Sequence, residues 1–288
     1  MNERELLTRF MQAKRASNLA TNTLKGYEYH LRQYYRYICA HGIATVTEHD
    51  LIDYFAYLSG QGYSPVTLKD KYVAIASYMR FTGRMGLMDK IKKPRPRGQA
   101  RCFTLDEVNT ILSSFKRADS FTELRDYAIV CTFLGTGIRK SELLQLSDFN
   151  GINDFITVKG KGGKVRSVPV SPALKRILMA YCKRKNGLFP LSGKMFLNRY
   201  GEPLTNGGLR AIFTRLKRKT GIPGNRFSPH TMRHFYATSF LRNGGSLVSL
   251  QKILGHSELA TTAIYLNWND NLLKTENDKF CPLDNIII

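Results

Sequence analysis

Lys90-Ile91-Lys92-Lys93-Pro94-Arg95-Pro96-Arg97-Gly98-Gln99-Ala100-Arg101 is the stretch at which this chain of 288 residues changes character. Its prolines, its missing apolar period and its lack of any acid make it a linker between folded parts. The length of the chain agrees with about two domains.

On the N-terminal side the sequence reads as helices separated by turn signals. Glu3 to Ala16 is followed by a helix from Thr21 or Thr23 to His41, which Gly42 stops. Thr47 opens a third that ends at Gly60, and Ser64-Pro65 opens a fourth to about Thr82. Tyr27, Leu31, Tyr34 and Ile38 recur at helical spacing and are expected in the core and at its rim.

On the C-terminal side, Thr104 and Glu107 form a capping-box signature. An apolar helix, Leu124 to Phe133, runs into Gly135-Thr136-Gly137. Phe155 to Val158 and Val165 to Val170 read as two strands joined by the turn Lys159-Gly160-Lys161-Gly162-Gly163-Lys164. The patterns of 173–185, 208–220, 231–242, 247–254 and 258–265 are helical.

Net charge is +22, from 44 Lys and Arg against 22 Asp and Glu, which calls for a polyanionic partner. Residues 155–257 hold 20 basic side chains and a single acid, Glu202, and residues 91–101 hold five basic and none acidic. Residues 1–90 (12 basic, 8 acidic), 102–154 (5 and 8) and 258–288 (2 and 5) lie near balance. A solvated face mixes both signs, so the 155–257 surplus reads as a polyanion-binding surface, which by itself does not separate nucleic acid from an anionic membrane. Extended, the linker reaches about 40 Å against ~34 Å for one turn of duplex, and reads either as a plain spacer or as a strap around DNA.

Other classes are excluded quickly. Cys39, Cys102, Cys131, Cys182 and Cys281 are odd in number and contain no CxxC pair, which argues against a disulfide scaffold or zinc site. The sequence has no signal-peptide core at Met1–Phe10, no long apolar run and no Walker GxxxxGK[ST]. The expectation is a soluble cytoplasmic, nucleoid-associated protein with no metal, no cofactor and no membrane partner.

Four places could carry chemistry. Ser228-Pro229-His230-Thr231-Met232-Arg233-His234 puts His230 and Arg233 on one face at a helix N-terminus, where backbone amides and a guanidinium suit a phosphate. Arg139 follows the Gly-Thr-Gly turn with Glu142 one turn on. The pair reads either as a surface ion pair or as an arginine held for an anion. Lys161 lies at the tip of the basic hairpin, which is either an ordinary exposed turn or an element that enters a groove. Leu254-Gly255-His256-Ser257 leads to Tyr265, and its helix, turn and helix also fit a non-catalytic DNA reader.

Gly135-Thr136-Gly137-Ile138-Arg139-Lys140-Ser141-Glu142-Leu143, Val158-Lys159-Gly160-Lys161-Gly162, His230-Thr231-Met232-Arg233-His234, and Leu254-Gly255-His256-Ser257 through Tyr265 stand in the order and spacing of the tyrosine recombinases. One such box is weak and four in order are specific. The chain resembles that family strongly over 102–268 and in helical pattern over its N-terminal part.

The resemblance implies a mainly α, two-domain DNA clamp: a helical, SAM-like core-binding domain at 1–89, the linker at 90–101, and at 102–288 a mixed α/β catalytic domain, mostly helical with a small β-sheet, ending in a C-terminal tail. It implies that Tyr265 attacks a DNA phosphodiester to leave a 3′-phosphotyrosine. Arg139 and Arg233 would hold the non-bridging oxygens and Lys161 would protonate the leaving 5′-oxygen. His230 would act as base or hydrogen-bond partner near the tyrosine and His256 would donate to the phosphate, with Glu142 orienting its neighbours and Trp268 in support. Lys92, Lys93, Arg95, Arg97, Lys159, Lys164 and Arg166 are expected at the DNA. The expected partners are double-stranded DNA with an inverted-repeat core site and a homo-tetramer on two such sites, with Phe280–Ile288 either docking on a neighbour or folding back on its own domain. With no arm-binding domain expected before Glu3, the layout resembles Xer-type resolvases or transposon-borne recombinases that resolve cointegrates or dimers, with integration and excision of a mobile element the other reading. A topoisomerase of type IB character and a DNA-binding regulator are the alternatives.

Overall fold

The computed structural model describes residues 2–17, 19–95, 102–116, 119–160, 163–190, 192–223, 227–256 and 258–265. The chain forms two compact units, Met1–Gln99 and Ala100–Ile288.

The first unit is helical: α1 (Glu3–Ala16), α2 (Thr21–Ala40), α3 (Glu48–Gly60) and α4 (Pro65–Phe81), followed by the 3-10 turn Met85–Met88. Local chemistry sets the starts of three of these helices. Asn2 and Glu5 form a capping box for α1, Thr47 and Asp50 one for α3, and Ser64 caps α4 with Pro65 in its first turn. Leu31, Tyr34 and Ile38 are buried as their spacing predicts, with Tyr27 packed against them at the edge. Phe10 and Tyr78 meet edge to face at 5.5 Å. Glu3 then ties the start of α1 to the end of α4: it accepts from the Tyr78 hydroxyl at 2.7 Å and from Arg84 at 3.0 and 3.1 Å.

The second unit contains α5 (Leu105–Ser113), α6 (Phe121–Thr136), α7 (Lys140–Leu143), β1 (Phe155–Lys159), β2 (Val165–Pro169), α8 (Pro172–Leu188), α9 (Asn206–Thr220), α10 (Pro229–Arg242), α11 (Leu247–Leu254) and α12 (Leu259–Ala263). Helix α6 is its axis. Ala128, Ile129, Val130 and Phe133 are fully buried, and the helix packs on both α8 and α10. It starts one turn earlier than its apolar run, because Ser120 and Glu123 make a capping box. The two strands pair antiparallel from Phe155↔Pro169 to Lys159↔Val165, with Ile156, Val158 and Val168 facing the core. The expected mainly helical architecture with one small sheet is what forms.

The end of α6 positions everything that follows. Gly137 adopts φ +61°, and a Cβ there would lie 2.5 Å from the Tyr236 ring and 2.9 Å from Leu254, so both the backbone and the space oppose a side chain. Helix α11 ends the same way at Gly255, with φ +65° and the Arg166 side chain against it. Among the described residues no helix is long and apolar enough to cross a membrane.

Candidate active site

Glu142 is the hub of a buried polar network. It sits in the short α7, is 1% exposed, and its carboxylate accepts four hydrogen bonds. Arg139 gives its backbone N–H at 2.6 Å and Nη1 at 3.0 Å, and Arg166 on β2 gives Nη1 at 2.7 Å and Nη2 at 3.0 Å. Burial by itself would raise this carboxyl, but Arg166 and the Arg139 N–H outweigh it and hold it below the ordinary carboxylate range. Glu142 is therefore an anion that fixes two cations.

The second organiser is the C-terminal end of α11, where the last carbonyls of a helix lack intrahelical partners. Three consecutive ones each accept from a different arginine. Ile253 takes Arg166 Nε at 2.8 Å, Leu254 takes Arg233 Nη2 at 3.0 Å, and Gly255 takes Arg139 Nη2 at 3.3 Å. The negative end of the helix macrodipole favours these cations. Arginines from β2, α10 and the start of α7 thereby converge on one turn.

Arg233 is the most exacting member. It is 4% exposed, and it donates to the Gly137 carbonyl at 2.7 Å, to the Leu254 carbonyl, and to His256 Nε2 at 2.8 Å. All three acceptors are neutral. Burial and the neighbouring Arg139 push its pKa down to about 10, so it stays charged near neutrality at a cost. Among the described residues the cluster sets three guanidinium groups against the single carboxylate of Glu142, a surplus of positive charge facing inward.

His256 lies against Arg233, and its pKa is lowered to about 4 by burial and by Arg233, Arg139 and Arg166. The ring is neutral near pH 7. A guanidinium only donates, so Nε2 must be the acceptor; the proton sits on Nδ1, which donates to Thr262 Oγ1 at 2.9 Å. Tyr265 follows three residues after Thr262 and is 6% exposed. Its ring stacks near that of His256 (centroids 6.3 Å, interplanar 16°) and meets His234 edge-on at 5.0 Å. Ala237, Leu250 and Leu254 complete its apolar surroundings.

Arg139, Glu142, Arg233, His256 and Tyr265 thus form one connected cluster. Arg166, expected at the DNA, has all three guanidinium nitrogens engaged inward, since it bridges β2, α7 and α11. His230 is exposed in the first turn of α10, one turn before Arg233. Lys159 and Lys164 flank the hairpin turn as exposed cations, and Lys92, Lys93 and Arg95 are exposed in the other unit. Lys161, Arg97, Trp268 and the 280–288 tail lie outside the described residues.

Two features escape sequence reading. Thr262 is a plain helical threonine whose bond to His256 exists only in the fold. The exposed face of α9 is the other: Gly207, Arg210, Ala211, Thr214, Arg215 and Arg218 line a shallow cavity of about 470 Å³. Its signal was present as arginines three and eight positions apart on a polar helix face.

The chain matches the phage integrase family over residues 101–271 and the phage integrase N-terminal SAM-like domain over residues 6–84. It is 32% identical over 253 residues to the tyrosine recombinase XerC of Pediococcus pentosaceus, across 82% of this chain and 83% of that protein. To XerD of Listeria monocytogenes it is 30% identical over 282 residues, across 92% and 94%. In fold it is similar to the Tn1549 transposon integrase, with a TM-score of 0.77 at 20% identity across 98% of this chain and 100% of that one. The chain belongs to the phage integrase family of tyrosine recombinases.

Proposed function

We propose that this tyrosine recombinase cleaves and rejoins double-stranded DNA at a specific site through a covalent bond between Tyr265 and a DNA phosphate. The observation that carries the reading is Arg233: a buried cation held only by neutral acceptors, beside Arg139, in a cluster with excess positive charge. Such a site is completed by an anion, and a phosphodiester supplies one. Arg233 retains Nε–H and one Nη1–H for its oxygens, and Arg139 retains Nε–H and one proton on each Nη.

The reaction follows from these donors. The Tyr265 oxygen attacks phosphorus, the bond to the 5′-oxygen breaks, and Arg139 and Arg233 stabilise the charge that grows on the non-bridging oxygens. A phenol of pKa about 10 needs help to ionise at pH 7, which His230 gives as base and the positive field supports. Lys161 gives the leaving 5′-oxygen its proton, and His256 donates to the phosphate. The phosphotyrosine conserves the phosphodiester bond, so the reverse attack of the 5′-hydroxyl reseals the strand. Tyr265 is buried in the free chain, so its ring must turn outward before attack.

Lys159, Lys164, the linker cations and the α9 face contact the duplex backbone and groove in this reading, with the two units gripping the DNA as a clamp. The Tn1549 integrase, similar in fold, was solved in complex with circular intermediate DNA. An inverted-repeat core site, four protomers per synapse and action on nucleoid DNA complete the proposal. The curated relatives are recombinases by name, which favours strand exchange over relaxation alone or passive DNA reading. A labelled, nicked duplex tests the chemistry: the protein should become linked to the 3′ end at the break and leave a 5′-hydroxyl that a kinase can phosphorylate. A 5′-linked protein would contradict the proposal.

A further inference from the structure

Thr262 is fully buried on α12 and serves two neighbours at once. Its hydroxyl meets His256 Nδ1 at 2.9 Å, and its carbonyl accepts the Tyr265 N–H at 3.1 Å. In the free chain His256 presents a lone pair at Nε2, because Arg233 donates to it at 2.8 Å. A lone pair directed at a phosphate oxygen is repulsive, so the ring in this state cannot serve a bound phosphate.

We infer that Thr262 is a positioning residue whose hydroxyl lets His256 change tautomer, accepting from Nδ1–H in the free chain and donating to Nδ1 once a phosphate occupies the arginines. A hydroxyl can play either part by rotating, whereas a carbonyl or carboxylate at that place would fix the proton on Nδ1. The proton balance is simple: Nε2 takes one proton from solvent, Nδ1 returns one, and the ring is neutral before and after. Arg233 then gives the Nη2–H it had spent on His256 to the phosphate, and His256 Nε2–H becomes a further donor. Arg233, Arg139 and Arg166 face the ring from α10, the start of α7 and β2, with Glu142 the opposing charge, and this field disfavours the alternative of an imidazolium. The inference rests on the DNA-cleavage reading above and adds a residue to it.

The test uses the full chain and a nicked duplex enriched from a random-sequence pool by its binding to the protein. Single-turnover formation of the covalent adduct should slow about three- to tenfold in Thr262→Val, the rate equivalent of one hydrogen bond, and stay within about twofold of wild type in Thr262→Ser. In a His256→Ala background Thr262→Val should add nothing. An unaffected Thr262→Val, a Thr262→Ser as slow as Thr262→Val, or an undiminished Thr262→Val effect without His256 would overturn the inference. Nitrogen-15 NMR of the histidines covers the event that Thr262→Val does not fold. The His256 ring should carry its proton on Nδ1 in the free wild-type chain and on Nε2 in a Tyr265→Phe complex with the same duplex. Nδ1–H in both states, Nε2–H in both, or an imidazolium in the complex overturns it. If wild type forms no adduct at all, the DNA-cleavage reading fails.

Discussion

Arg166 closes on Glu142 with both terminal guanidinium nitrogens, at 2.7 and 3.0 Å, while its Nε reaches over the end of α11 to the Ile253 carbonyl at 2.8 Å. One side chain thereby joins β2 to α7 and to the helix that precedes His256. Its work is to hold the cluster in register.

A lysine at that place keeps the charge and loses the fork. Arg166→Lys should lower unfolding free energy by about 1–2 kcal/mol, the worth of charge-assisted hydrogen bonds removed from a largely buried site. Urea denaturation measures it. The salt dependence of DNA binding should not change, and a shallower slope would place Arg166 at the phosphates.

Gly137→Ala should be more costly. The left-handed backbone and the 2.5 Å approach to Tyr236 both oppose a methyl group, and the Gly137 carbonyl is a ligand of Arg233. A loss of about 2–3 kcal/mol is expected, from strain and overpacking together. A Gly137→Ala protein as stable as wild type in urea would show that this junction tolerates displacement.

Most of the fold was legible because its signals are local. Thr104 with Glu107, Ser64 before Pro65, and the alternation of Ile156 and Val158 each depend on a few neighbouring residues. The start of α6 was readable in Ser120 and Glu123 but was masked by the stronger apolar run beginning at Leu124. The fold brings Arg139, Glu142, Arg233, His256 and Tyr265 together, which the sequence offered as separate motifs with no sign of the network that joins them. That Ile253, Leu254 and Gly255 each accept from a different arginine is a property of backbone carbonyls, which carry no residue-type signal. Arg166 and Lys164 look alike in sequence, and only the position of β2 beside α7 and α11 turns one inward and leaves the other exposed.

Acid should destabilise the chain partly through His256. Its folded pKa is about 4, below the ordinary 6.5, so between those values the unfolded chain binds a proton that the folded chain refuses. Stability therefore falls as pH drops from about 6.5 to about 4 and is unaffected by this group above that window. Glu142, whose pKa is depressed, adds its loss only further down, as pH falls through its folded value below the ordinary 4.5. His256→Asn should flatten the fall of thermal midpoint with pH in the upper window. His30 and His234, also lowered by burial, contribute equally to both proteins. Identical slopes would mean that His256 is not held neutral.

The charge surplus makes its own prediction. Arg218→Ala on the α9 face and Lys164→Ala beside the hairpin should each reduce the slope of log affinity against log salt by about one, as expected when one cation no longer neutralises a phosphate. Fluorescence anisotropy across a salt series gives the slope. Unchanged slopes would remove these side chains from the interface.

Denaturing electrophoresis of the chain with a labelled nicked duplex reads directly whether Tyr265 becomes covalently joined to DNA. Wild type should give a label-bearing protein band that resists denaturant, and Tyr265→Phe, which keeps the ring packed between His234 and His256, should give none while still binding the duplex. A covalent band that persists in Tyr265→Phe would mean that Tyr265 is not the nucleophile.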